Sequence, residues 1–249
     1  MDDARLARLA YDSLYPFYEM VAGACATSRI ERLDGVVACV VPEVPDRSFM
    51  NSVIYDDSAA LEAALPDLTG IYDAAGVNAW TVWSRTADPA AAQALERAGH
   101  VLDASPAAMA MPLEAWEDPA GQAAEIGEID VAGLTRINDA AYGWEGEFTR
   151  GFIEAPETLR RYGARLDGNE AACAAWMRCG DDCAVYMVAS LPEAQGRGLA
   201  TALMARMLSD ARSEGCTSTT LQASKAGYPI YRRLGYRDLG PLQMWERRR

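Results

Sequence analysis

Apolar residues recur along this chain at two spacings, and each spacing predicts its own kind of element. Over residues 199–212 the period is helical: Ala200, Leu203, Met204, Met207, Leu208 and Ala211 form one stripe, and Arg206, Ser209, Asp210 and Arg212 lie opposite. Short apolar runs flank that helix at 184–189 and 218–223, and their length and bounding turns predict strands. A further run at 171–178 is joined to the next by Cys179-Gly180-Asp181-Asp182-Cys183, good turn chemistry for a hairpin. Near the end, Pro229 suits a first helical position and Gly235 the residue just past a helix stop, with Ile230, Tyr231 and Leu234 on one face.

The first half repeats this grammar. Gly76 opens an alternating strand through Ser84, followed by Ala94-Leu95-Glu96-Arg97-Ala98-Gly99-His100. Downstream, Gly215 opens the strand to Leu221, followed by Ile230-Tyr231-Arg232-Arg233-Leu234-Gly235-Tyr236. In that register Leu95 stands where Tyr231 does. The earlier strand, 51–55, runs into Asp56-Asp57-Ser58-Ala59-Ala60 with no glycine, and two aspartates there would repel an anion. The pattern predicts two copies of one fold: a degenerate domain over 1–115, a linker over 116–124 containing Pro119 and Gly121, and a second domain over 125–249.

Composition narrows the function. With 249 residues, half of them hydrophobic, each half can hold its own core. A net charge of −13 argues against nucleic acid, whose binders cluster Lys and Arg, and could steer a cationic amine inward. No apolar run reaches membrane-spanning length, and Met1-Asp2-Asp3 lacks the basic flank of a secretory signal; the expected location is cytoplasmic. The six cysteines read as reduced: Cys25, Cys39, Cys173 and Cys216 as small hydrophobes, Cys179 and Cys183 as hairpin residues, with no metal expected. His100, the only histidine, sits at a helix stop and is read as structural. With no nucleophile elbow present, a hydrolase triad has little to build on.

The chemistry concentrates in Leu191-Pro192-Glu193-Ala194-Gln195-Gly196-Arg197-Gly198-Leu199-Ala200-Thr201, between the 184–189 strand and the long helix. Paired glycines remove the side chains that hold a ligand off, and the helix start offers free N–H groups to a phosphate. A Walker loop would need Gly-Lys-Ser/Thr, but Leu199 follows Gly198; a dinucleotide fingerprint would need glycine at Thr201 and an acid where Gln222 ends the next strand. What remains, Gln-x-x-Gly-x-Ala over 195–200, resembles the acetyl-CoA loop of the GNAT N-acetyltransferase superfamily. The segment 221–236 is similar to the second GNAT signature, with the family tyrosine at Tyr231 and a Leu234-Gly235-Tyr236 stop. Ser224 stands where the family often has asparagine.

This resemblance covers about the last half of the chain. It implies an α/β (α+β) architecture of two GNAT-like domains, each a mixed, mostly antiparallel twisted sheet flanked by helices. It also implies acetyl transfer from acetyl-CoA to a primary amine on a small molecule or peptide. Gly196, Arg197, Gly198, Leu199, Ala200 and Thr201 would hold the pyrophosphate. Val188, Ala189 and Ser190 would pair with the pantetheine arm, an N–H near Ser190 polarising the thioester. Tyr231 would serve as general acid. Tyr142, Trp144, Phe148, Glu145 and Glu147 are candidates for the acceptor wall; core aromatics and surface acids are the competing reading. The base is unassigned. A non-catalytic acyl-CoA sensor or interaction module is the alternative function.

Overall fold

The computed structural model describes residues 1–85, 88–118 and 124–249. Along the first half the elements are α1 (Asp3–Asp12), α2 (Leu14–Ala22), β1 (Arg29–Leu33), β2 (Val36–Val40), β3 (Ser52–Tyr55), α3 (Ser58–Ala74), β4 (Ala79–Arg85), α4 (Pro89–Arg97), β5 (Val101–Ala104) and β6 (Ala107–Pro112). The second half adds β7 (Glu125–Glu128), α5 (Val131–Tyr142), α6 (Glu147–Gly151), β8 (Leu159–Leu166), β9 (Asn169–Cys179) and β10 (Asp182–Ser190). It ends with α7 (Leu199–Ser213), β11 (Ser218–Ala223), α8 (Tyr228–Arg233) and β12 (Arg237–Arg248).

These elements form two compact units that are not the two halves of the sequence. The larger unit joins Met1–Ser13 to Ala107–Leu239; the smaller joins Leu14–Pro106 to Gly240–Arg249. In the larger, the strand order is β7-β8-β9-β10-β11-β6, antiparallel except for the parallel pair β10 and β11. In the smaller, it is β1-β2-β3-β4-β12-β5, antiparallel except for β3 and β4. The topologies match, and each sheet is completed by a strand from the other half of the sequence. β6 covers the edge that β11 would otherwise leave unpaired, and Gly240–Arg249 does the same for β4. The chain therefore passes between units at Ser13/Leu14, Pro106/Ala107 and Leu239/Gly240. Residues 119–123 of the expected linker lie outside the described residues.

Local chemistry explains the elements. Asp2, Asp57, Asp88 and Asp130 each begin a helix, their carboxylates accepting backbone N–H bonds from the first turn of α1, α3, α4 and α5. The expected stripe of α7 is buried at Leu203, Met204, Met207, Leu208 and Ala211, with Ala200 half-buried, against β8, β9 and β10. The β9–β10 hairpin turns at Gly180, whose φ of +63° needs no Cβ to avoid. One reading is corrected. The strand over 76–84 was expected to alternate, yet Ala79 to Ser84 of β4 are all buried. Trp80 and Val82 pack into the cluster under α3 and α4, while the Trp83 indole on the other face donates to Tyr18 Oη at 2.9 Å. A strand covered on both faces has no polar side to show.

Candidate functional site

The glycine loop leaves β10 through a short 3₁₀ turn at Pro192–Ala194 and enters α7 at Gly198. Gly196 and Gly198 hold φ of +75° and +79°, a region side chains rarely enter. A Cβ on Gly196 would meet nothing within 4 Å, so the surface above the loop is open. No side chain caps α7. Among the described residues, none of the backbone N–H groups from Gly196 to Thr201 finds an acceptor; the bonding resumes at Ala202, which donates to Gly198 at 3.0 Å. This is a row of unspent donors at the positive end of a fifteen-residue helix. Gln195 to Gly198, including Arg197, are exposed, Leu199 is buried in the core, and Ala200 and Thr201 are half-buried.

Beside the loop, two strands come apart. β10 and β11 pair in parallel from Asp182↔Ser218 to Ala184↔Thr220, then both continue without pairing further. The paired end is fastened from within: buried Asp182 accepts from Ser218 Oγ at 2.7 Å and Thr220 Oγ1 at 2.6 Å. On its other side β10 carries a bulge. Its ladder with β9 skips from Tyr186↔Ala175 to Ala189↔Cys173, so Met187 and Val188 have no partner there. Met187 sits at φ +55°, an unfavourable region for an unbranched L side chain, and the neighbouring groups hold it there. Asn138 Nδ2, from α5, donates to Leu134 O at 2.8 Å, Cys173 Sγ at 3.3 Å and Met187 O at 3.5 Å. Cys173 Sγ also reaches Met187 O, at 3.6 Å. Such a bulge turns the following backbone away from the ladder. Val188, Ala189 and Ser190 thus run along the separated part of β10.

Tyr231 lies on α8, buried among residues of the α7-side cluster, its ring 5.8 Å edge-on from that of Tyr236. Gly227 is required here: a Cβ would stand 2.8 Å from Tyr231 Cε2. No hydrogen bond is found for the Tyr231 hydroxyl among the described residues. Burial raises its pKa well above the ordinary tyrosine value, and the nearby Tyr142 raises it further. Ser224 accepts from Gly227 N at 3.2 Å and fixes the start of α8.

Tyr142 ends α5 and is exposed, and from it runs a row of rings. Tyr142 and Trp144 are 5.6 Å apart between centroids, Trp144 stacks on Phe148 at 5.8 Å, and Phe148 meets Phe152 at 6.1 Å. Asp139 sets this row by accepting from Phe148 N at 2.8 Å and Thr149 Oγ1 at 2.7 Å. Glu145 is exposed and Glu147 half-buried. The thiol of Cys173, beneath the bulge, is pushed up to about 12 by burial and is not a nucleophile near neutrality.

Sequence reasoning singled out the glycine loop, Tyr231 and the aromatic candidates Tyr142, Trp144 and Phe148, and did not anticipate the bulge at Met187 or its brackets Asn138 and Cys173. Nothing local marks them, because each works through a partner distant in sequence.

An open helix start beside two diverging parallel strands, one of them bulged, is the architecture of a GNAT fold. Residues 159–238 match the family model described as Acetyltransferase (GNAT) domain. Similar solved structures include a GCN5-related N-acetyltransferase from Kribbella flavida, with TM-score 0.69 and 20% identity, over 96% of this chain and 94% of that one. A tandem GNAT protein from the clavulanic acid biosynthesis pathway aligns at TM-score 0.58 and 12% identity, over 99% and 94% of the two chains. A GCN5-related N-acetyltransferase from Sphaerobacter thermophilus aligns at TM-score 0.54 and 16% identity, over 86% and 76%. No curated protein matches the chain. Among the described residues no helix is long and apolar enough to cross a membrane.

Proposed function

We propose that the larger unit is an acyl-CoA-dependent N-acyltransferase moving acetyl from acetyl-CoA to a primary amine, and that the smaller unit is a copy of the same fold without the cofactor site. The observation that carries this reading is the run of N–H groups at Gly196–Thr201 with no acceptor, opening beside the gap between β10 and β11. Acetyl-CoA fits that surface chemically: its pyrophosphate matches the unspent donors, with Arg197 at hand, and its amide-rich arm matches the free edge at Val188, Ala189 and Ser190. When bound, it supplies an acyl group activated as a thioester.

The chain's own residues supply the other roles, except that of the base that takes the amine's proton. An N–H on the bulged stretch between Met187 and Ser190 meets negative charge as it develops on the thioester oxygen. Tyr231 Oη holds its proton at neutral pH and donates toward the departing sulfur. With its pKa raised by burial, it stays protonated near neutrality and cannot act as the base. Tyr142, Trp144 and Phe148 wall the acceptor side, where Glu145 and Glu147 attract a cationic amine. A sensor that binds acyl-CoA without turnover is the second reading, favoured because no residue of the site is assigned as the base that takes the amine's proton.

Calorimetry with acetyl-CoA, then thiol release with polyamines, amino acids, aminoglycosides and peptide N-termini, separates these readings. The enzyme reading expects Tyr231→Phe to slow release by about 100-fold while acetyl-CoA affinity stays within about two-fold. Tight binding with no turnover on any acceptor would establish the sensor. No binding at all removes both.

A further inference from the structure

The separated ends of β10 and β11 are held by a third element, the last turn of α1. In the parallel register Asp182↔Ser218 through Ala184↔Thr220, the next same-face pair would be Tyr186 and Gln222. Val185, Leu221 and Ala223 belong to the cluster beneath α7, so alternation puts Tyr186 and Gln222 on the opposite face. Both side chains there donate to the last turn of α1. Tyr186 Oη donates to Ser13 O at 2.7 Å, while Gln222 Nε2 donates to Ala10 O at 2.7 Å and Ser13 Oγ at 3.3 Å. Ser13 Oγ itself donates to Ala10 O at 3.0 Å, which ties the turn into one piece. These carbonyls lie at the C-terminal end of the helix, where backbone acceptors are open to side-chain donors.

The smaller unit shows the closed alternative. There β3 and β4 pair at Ser52↔Thr81 and Val53↔Val82, and the next same-face pair is Tyr55 and Ser84. These two do meet, sharing a hydrogen bond of 2.8 Å from strand to strand. The two tyrosines face opposite ways, Tyr55 into the cluster under α3 and Tyr186 away from the cluster under α7. Tyr55 joins its two strands directly, whereas Tyr186 donates to the last turn of α1.

Resting on the function proposed above, we infer that the C-terminal turn of α1 is the wedge that keeps the acyl-CoA cleft open, with Tyr186 and Gln222 as positioning residues acting through it. Neither touches the loop that would hold the pyrophosphate. Loss of either bond therefore weakens whatever enters between the strands and spares what binds at the α7 start.

The test is calorimetry with two probes, acetyl-CoA and 3′,5′-ADP, on the full chain and on Gln222→Leu, Tyr186→Phe and their double variant. Each single variant is expected to weaken acetyl-CoA by about ten-fold, the worth of one hydrogen bond, and to leave 3′,5′-ADP within about two-fold. Gln222→Asn, which keeps the amide but shortens its reach, replaces the leucine variant if that one does not fold. Unchanged acetyl-CoA affinity in the variants overturns the inference, as does an equal loss for both probes. Failure of the unaltered chain to bind either probe would instead remove the functional reading beneath it.

Discussion

Two helices in this molecule start at the same point of the same topology and are finished in opposite ways. α3 of the smaller unit follows β3, a strand with a parallel neighbour, and Asp57 accepts from Ala59 N and Ala60 N at 3.0 Å each. α7 of the larger unit follows β10, likewise parallel to its neighbour, and opens on Gly198 with no cap. The first helix caps its first donors; the second leaves its own without acceptors among the described residues. The strands differ in the same sense, joined at Tyr55–Ser84 in one unit and parted in the other. The anion site proposed at α7 coincides with ordinary stabilisation withheld: a cap left off, a ladder stopped early, a bulge kept at Met187.

The largest effect expected from this comparison concerns what each unit borrows. Trp245 lies in the core of the smaller unit although it comes from the end of the chain. Trp245→Ala is expected to cost about 3–5 kcal/mol there, and truncation after Leu239 to abolish that unit's cooperative unfolding. Urea unfolding followed unit by unit checks both. Independent folding of residues 1–115 as a fragment would break the picture of exchanged strands.

Acid should separate the units next. His100 is buried against Trp80, its ring nitrogens without hydrogen-bond partners among the described residues. Burial, then the positive charge of Arg247, push its pKa down to about 4 from an ordinary 6.5. The unfolded chain therefore takes up the proton first. Stability present above about pH 6.5 drains away as pH falls toward about 4, by about 3 kcal/mol in all. In His100→Phe that slope should vanish between pH 6.5 and pH 4. An unchanged slope would mean that another group titrates.

How much of this was legible in advance divides by sequence distance. The loop, the α7 stripe, the hairpin at Gly180 and the tyrosine before a glycine stop are local patterns, and the structure keeps them. The strand exchange is not local: β6 pairs with β11 more than a hundred residues downstream, and nothing in Ala107–Pro112 names that partner. Gln222 stood out only as the wrong residue for a dinucleotide site. Its purpose depends on Ala10, 212 positions away. The alternation expected of β4 failed for the same reason, since what covers a second face is decided by distant elements.

Exchanging the two helix starts sharpens the comparison further. Gly198→Asp places in α7 the carboxylate that α3 already has, and is expected to weaken acetyl-CoA about 100-fold, equivalent to about 2.7 kcal/mol, because the new group occupies the donors and repels phosphate. Aspartate tolerates the positive φ of this position better than most residues, and Gly198→Asn, with the same shape and no charge, separates the charge from any backbone cost. Near-equal losses in the two variants would show that conformation, not capping, governs the site.

The reverse exchange is the smallest and most discriminating. Asp57→Ala frees the N–H groups of Ala59 and Ala60 and should cost about 1 kcal/mol, read as a lower urea midpoint for the smaller unit. It should not create a second site for acetyl-CoA. Freed donors are only half of what α7 offers, and the Tyr55–Ser84 bond still closes the strands beside them. A titration of Asp57→Ala that stays at one site would show that the open helix start and the parted strands are separate requirements. A second site appearing on that single change would show that the cap alone had silenced the first copy.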